Sequence, residues 1–180
     1  MIVLIGPLGA GKTEQGRQLA AHLNCPWLST GQLLRDHPSP QRVERMQRGE
    51  LVDDRDVLDL LEEQLAKIGA DQNECVLDGS PRTTHQAEWL IKKIEAGEIK
   101  LTAVIQLKVP HEAVLKRLAH RGRPDDRPEV IERRLEDYDH HTVPALNYLR
   151  DHGLQIHEID GLKSRDAVQA EILKVVDEAR

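Results

Sequence analysis

A chain of 180 residues, 39% hydrophobic and 31% charged, can fill one hydrophobic core but is too short for two ordinary independent domains. Its formal net charge of −6 argues against a general nucleic-acid binder, and with no Phe and only Trp27, Trp89, Tyr138 and Tyr148 as aromatics it cannot surface a sheet with stacking rings for RNA. No apolar run approaches the roughly 20 residues of a membrane span, and the opening MIVLI lacks the basic stretch and cleavage site of an export signal, so a cytoplasmic protein with no membrane partner is expected.

The first element is the apolar run from Ile2 to Ile5, a buried strand by its continuity. It leads into GPLGAGKT at residues 6–13, which fits the spacing G-x-x-x-x-G-K-[ST] and opens a helical pattern. Glycines in such a loop let successive N–H groups turn inward, and the positive end of the following helix reinforces the anion nest they form. Gly9, Ala10, Gly11, Lys12 and Thr13 are therefore the expected ATP-binding loop. Lys12 is placed to bridge the outer phosphates, and Thr13 to offer its hydroxyl to Mg2+.

A short strand near Trp27 follows Cys25, which with Cys75 makes up the cysteine complement. Two such thiols admit neither a zinc cluster nor a disulfide framework. The polar segment RDHPSPQRVERMQRGE, residues 35–50, interrupts the pattern as a proline-punctuated loop. A helix then aligns Val57, Leu58, Leu61, Leu65 and Ile68 on one face. The run Cys75 to Leu77 reads as a strand that delivers Asp78 of VLDGSPRTTHQAE to its carboxyl end, beside the phosphates, where it can hold Mg2+ waters. Arg82 offers a forked guanidinium suited to a phosphate.

Val104 to Leu107 is the next strand. Arg117 and Arg121 stand four residues apart on one predicted helix face, and the polar RGRPDDRPE follows, its Asp125 and Asp126 placed to cap the next helix and pair with nearby arginines. His140 and His141 are neighbours facing different directions, with no third ligand in view, which argues against a metal site. Leu154 to Ile159 and a last helix carrying Val168, Ile172, Val175 and Val176 close the chain. Strand and helix alternate throughout, which implies an α/β fold with a parallel sheet covered on both faces and ligands held at its carboxyl edge.

Six blocks in order, GPLGAGK, STGQLLR, GELV, VLDGSPRT, RLAHRGRPDDRPEVIERRLEDY and IDG, resemble the adenylate kinase family across nearly the whole length. The resemblance implies a P-loop three-layer α/β/α kinase domain over residues 1–180 with a five-stranded parallel sheet. It also implies a small NMP-binding insertion at 29–58 and a very short lid at 117–128, and, with no cysteines in that lid, no zinc. The implied activity is transfer of the γ-phosphate of MgATP to AMP to give two ADP, and the compact single-domain build makes a monomer the expected state. Thr30, Gly31 and Arg35 would lie beside the AMP, with Arg35 and Arg82 on its phosphate and Gly79 in the same block. Leu51 and Val52 would line the adenosine and Gln86 would hydrogen-bond the adenine. On the donor side Arg117 looks like the residue that stacks on the ATP adenine. Arg121, Arg123 and Arg134 would clamp phosphates, completing with Lys12 and Arg82 the expected catalytic set.

The chain departs from the family pattern at Thr13-Glu14, usually glycine and threonine, at Ser80, usually aromatic, and at Gln32, usually aspartate. Thr83 followed by Gln86 also fits a helix-capping box, so a structural role for Gln86 stands beside the base-reading one. Three other functions stay open at this point. One is the same chemistry on UMP, CMP or dAMP, and another is a nucleotide-binding sensor with weakened turnover. The third, a kinase of a non-nucleotide metabolite, leaves the paired Arg35 and Arg82 without a purpose.

Overall fold

The computed structural model describes residues 1–118 and 127–180. Among them, β1 (Ile2–Ile5), β2 (Trp27–Ser29), β3 (Val76–Asp78), β4 (Ala103–Lys108) and β5 (Ile156–Asp160) form one wholly parallel sheet in the order β2-β3-β1-β4-β5. The connecting helices are α1 (Lys12–Leu23), α2 (Thr30–Asp36), α3 (Pro40–Arg48), α4 (Asp54–Ile68) and α5 (Thr84–Glu95). They continue with α6 (His111–Leu118), α7 (Pro128–Asp137), α8 (Val143–Asp151) and α9 (Arg165–Ala179). None of the described helices is long and apolar enough to cross a membrane.

Side chains alternate across a strand, and β1 uses both of its faces. Val3 and Ile5 join a core with Leu61 of α4, Leu90 of α5 and Leu146 of α8, while Ile2 and Leu4 join a second core with Leu19 of α1, Val114 of α6 and Ile172 of α9. The continuous apolar run of β1 is thus explained by burial on both sides, as in doubly covered parallel sheets. The chain leaves β1 toward one face through α1 and β3 toward the other through α5. A crevice opens at the carboxyl ends of adjacent strands whose connections part in this way.

Three local differences from the expected elements have physical causes. The strand expected at Cys75–Leu77 pairs as Val76–Asp78, so Asp78 is its last residue and stands level with Leu4 of β1. The last strand begins at Ile156 rather than Leu154, because the Leu154 N–H is spent on the Leu149 carbonyl at the end of α8. The polar segment 35–50 is largely helical. Ser39 caps α3 through its side chain, Pro40 sits in the first turn where its missing N–H costs nothing, and Gly49 closes the helix in the left-handed conformation. None of the residues of α3 is buried, which is why apolar periodicity did not reveal it.

Both cysteines are free, and their side chains serve opposite cores, Cys75 on the α4 and α5 side and Cys25 against the other. Burial pushes the Cys75 thiol up from its ordinary 9.0 to about 11. The unfolded thiol then ionises before the folded one, so the folded state holds more protons between those values and stability falls as pH rises from about 9 toward 11. Urea melts across that range are expected to show the decline, and Cys75→Ala should make it shallower, with Cys25 and Tyr138, both also raised by burial, supplying the remainder. In the native protein at pH 8, Cys75 should resist iodoacetamide until denaturant is added.

Candidate active site

The loop after β1 is shaped by its neighbours. A Cβ on Gly6 would lie 2.6 Å from the Leu107 carbonyl oxygen, so only glycine lets the loop pass this close to β4. Gly11 takes φ 97° at the N-cap of α1, where no side chain caps the helix. The first-turn N–H groups are thereby left to a ligand, with the positive end of the helix dipole behind them. Lys12 arches back over the loop, its Nζ donating to the carbonyls of Gly6 and Pro7 at 2.7 Å each. Thr13 Oγ1 donates to Asp78 Oδ2 at 2.8 Å, joining the P-loop to the end of β3, and Asp78 is only 3% exposed. A hydroxyl beside a single carboxylate is a hard-oxygen pair of the kind Mg2+ takes when phosphates and waters complete its shell. Among the described residues no cluster of three or more His, Cys, Asp or Glu side chains provides an all-protein metal cage.

Beyond Asp78 the chain turns through Gly79, Ser80 and Pro81 to Arg82, whose Nε donates to the Gly79 carbonyl at 2.8 Å. The Arg82 side chain lines the cleft and is open to solvent. Loss of hydration there pulls its pKa below the usual arginine value. The positive charges of Arg134 and Arg35 pull the same way, while Asp78 and Asp137 oppose. Arginine keeps its charge there, and a phosphate entering beside it would offset the repulsion from Arg134 and Arg35.

Gln86 positions this segment. Its Oε1 accepts from Ser80 Oγ at 3.0 Å and from the Arg82 N–H at 2.8 Å, and its Nε2 donates to Asp54 Oδ1 at 2.7 Å. Thr83 caps α5 by accepting from the Gln86 N–H and donates to the other Asp54 oxygen. The capping role read in the sequence is present, in a modified form in which the Gln86 side chain reaches Arg82 rather than the cap residue itself. The serine at position 80 has a task here that an aromatic could not perform.

The other expected acceptor residues gather at the same cleft. Thr30, Gly31, Arg35, Leu51, Val52, Gly79, Arg82, Gln86 and Arg134 all line it. The Thr30 hydroxyl oxygen is buried with no hydrogen-bond partner among the described residues. Arg35 donates to Gln32 Oε1 at 3.1 Å, which gives the second unusual residue a use, and Arg134 donates to the Met46 carbonyl at 3.1 Å. On the donor side Gly9, Ala10, Gly11, Lys12, Thr13 and Arg117 line the cleft, and Arg117 bridges the carbonyls of Gly9 and Gly161, tying the P-loop to the turn after β5. Arg121, Arg123, Asp125, Asp126 and most of the expected lid lie outside the described residues.

Sequence reasoning missed Thr142, Tyr138 and Asp54. Tyr138–Thr142 is a π-helical turn in which the Val143 N–H reaches back to the Tyr138 carbonyl. Pro144, next in line, has no N–H to continue the regular ladder. The widened turn brings both Tyr138 and Thr142 to the cleft, and Thr142 Oγ1 donates to the Arg82 carbonyl at 3.1 Å. No motif announces it, although a proline just inside a helical pattern is a signal for such an irregularity.

The cleft holds about 1110 Å³, more than the roughly 300–1,000 Å³ of a single-ligand pocket. Its described lining carries nine basic side chains against four acidic ones, although the whole chain is net −6. A P-loop at a sheet switch point, facing an arginine-lined recess of reversed charge, defines a P-loop phosphotransferase that handles two anions. The chain belongs to the adenylate kinase family. The family's profile matches residues 4–154. An adenylate kinase of Thermus thermophilus is 38% identical to it, over 95% of this chain and 94% of that protein. One from Caulobacter vibrioides is 39% identical over the same shares, and one from a Mycobacterium species is 37% identical over 97% of this chain and 98% of its own length. The protein is accordingly an enzyme, a nucleoside monophosphate kinase.

Removing the Gln86 amide by Gln86→Leu strands the buried Ser80 hydroxyl and the Arg82 N–H. The expected cost is about 2–3 kcal/mol, read as a lower urea midpoint at unchanged slope.

Proposed function

We propose that the chain transfers the γ-phosphate of MgATP to AMP, giving two ADP. The observation that carries this reading is the single cleft in which Lys12 and Thr13 of one strand end face Arg82 of the adjacent one, within a lining of reversed charge. ATP lies along the P-loop, its phosphates on the N–H groups of Gly9 to Thr13 and on Lys12, which swings from the loop carbonyls to meet them. AMP lies opposite, its phosphate between Arg35 and Arg82, with Leu51 and Val52 against the adenosine and Thr30 and Gly31 beside it. Residues 29–58 act as the AMP-binding insertion and 117–128 as a short lid. Arg117 packs on the ATP adenine.

Thr13 and Asp78 would hold Mg2+, which would supply charge neutralisation for the polyphosphate. The chain's own contribution is positioning and electrostatics. Arg82, Arg134, Lys12 and the lid's Arg121 and Arg123 align an acceptor oxygen that is already ionised and stabilise the charge that spreads over the moving group. No side chain has to act as a base. A monomer is the state we expect.

Gln86 bears on the choice of base. Two donors already occupy its oxygen and Asp54 takes one amide proton, leaving a single N–H to offer. That N–H suits an acceptor such as an adenine ring nitrogen, and base carbonyls accept as well, so Gln86 is compatible with AMP while the choice of AMP follows the family resemblance.

The test is incubation of the purified protein with MgATP and, separately, AMP, dAMP, GMP, UMP and CMP, with products resolved by anion exchange. ADP formed with AMP at two per AMP consumed is the expected result. Preference for another base would overturn the choice of AMP, and no transfer to any acceptor would overturn the activity. Arg82→Ala is expected to lower the rate about a hundredfold or more, and undiminished turnover would remove Arg82 from the mechanism.

A further inference from the structure

The residue after the P-loop threonine is an acid. Glu14 is the third residue of α1 and lines the cleft beside the phosphate-binding loop, where a bare carboxylate repels a polyphosphate. The carboxylate is paired: Arg165 Nη1 donates to Glu14 Oε1 at 2.9 Å. Arg165 opens α9 and also lines the cleft. Its main chain is held as well, since the Arg165 carbonyl accepts from Gln15 Nε2 at 3.0 Å and Gln15 is only 3% exposed. Neighbouring residues of α1 thus fasten the start of α9 twice, once by a buried amide and once by a charge pair at the mouth of the donor half.

The two contacts have different consequences. The Glu14 and Arg165 side chains are 41% and 77% exposed. An exposed pair of this kind adds little to stability, and the buried Gln15 contact with the Arg165 carbonyl holds the helix start without the guanidinium. What the guanidinium alone supplies is charge. It cancels an acid that would otherwise face the entering triphosphate.

We propose that Arg165 is a positioning residue of the donor subsite. It neutralises and turns aside Glu14, and so sets the affinity for MgATP. The proposal rests on the reading of the P-loop as the ATP subsite, and deepens it: in this chain the acid after Lys12-Thr13 and the arginine opening α9 form one functional unit. Removing the arginine exposes the acid, and removing the acid makes the arginine dispensable.

The experiment is a double-mutant cycle with Arg165→Ala, Glu14→Thr and the double variant. It is read by calorimetric titration with MgATP, by KM for ATP and for AMP, and by thermal melting. Arg165→Ala is expected to weaken MgATP binding about threefold to tenfold, with the loss falling on KM for ATP rather than on kcat, and with KM for AMP and Tm held. Glu14→Thr alone should bind MgATP as tightly as the parent or more so, and adding it to Arg165→Ala should restore most of the lost affinity. Unchanged MgATP affinity in Arg165→Ala overturns the proposal, as does a double variant no better than Arg165→Ala or a weakened Glu14→Thr. The titration needs no turnover. A parent that binds MgATP but phosphorylates no monophosphate would contradict the proposed activity while leaving the charge pair fully testable.

Discussion

Phosphoryl transfer between two nucleotides begins with a repulsion: two polyanions must be brought into line in one cleft, against their own charge. Most of what is unusual in this molecule answers that constraint. The chain is net negative, yet in the described lining of its cleft Lys and Arg outnumber Asp and Glu. Arg82 bears the cost most visibly. Lost hydration and the neighbouring Arg134 and Arg35 lower its pKa, and Asp78 and Asp137 offset them in part. The sheet topology is what makes the concentration possible, since β1 and β3 lie side by side with their connections leaving on opposite faces, so that P-loop and arginine segment end at the same level.

A charge that is to meet a phosphate has to be held in place. The network of Ser80, Gln86, Thr83 and Asp54 does this for Arg82 by fixing its backbone, and Thr142 secures its carbonyl from the π-helical turn. Asp54 also opens α4, so the same hydrogen bonds couple the end of the segment that precedes α4 to the start of α5. Two of the family departures find uses within this scheme: Ser80 as a donor to Gln86, and Gln32 as the acceptor that steadies Arg35.

The fold was largely legible in the sequence because its signals are local. The apolar run of β1, the glycine spacing of residues 6–13 and the stripe on α4 each follow from burial or backbone sterics within a few residues. Strand ends slipped by a residue or two where hydrogen bonds decide them, as at Leu154. The polar helix α3 escaped because it buries nothing. Of the site, motif residues such as Lys12, Asp78 and Arg82 could be named in advance. Thr142 and Asp54 could not, because their contribution depends on partners 60 and 32 residues away and carries no pattern of its own. Arg165 was hidden for the same reason, although the odd acid at Glu14 called for a cation somewhere nearby.

The central claim is that one cleft receives both nucleotides end to end, with their phosphates meeting between Lys12 and Arg82. It is tested most directly by calorimetric titration with a compound in which two adenosines are joined through five phosphates. The account predicts one equivalent bound, more tightly than ATP or AMP, and displaced by either nucleotide. Binding of two equivalents, or competition with ATP alone, would contradict it.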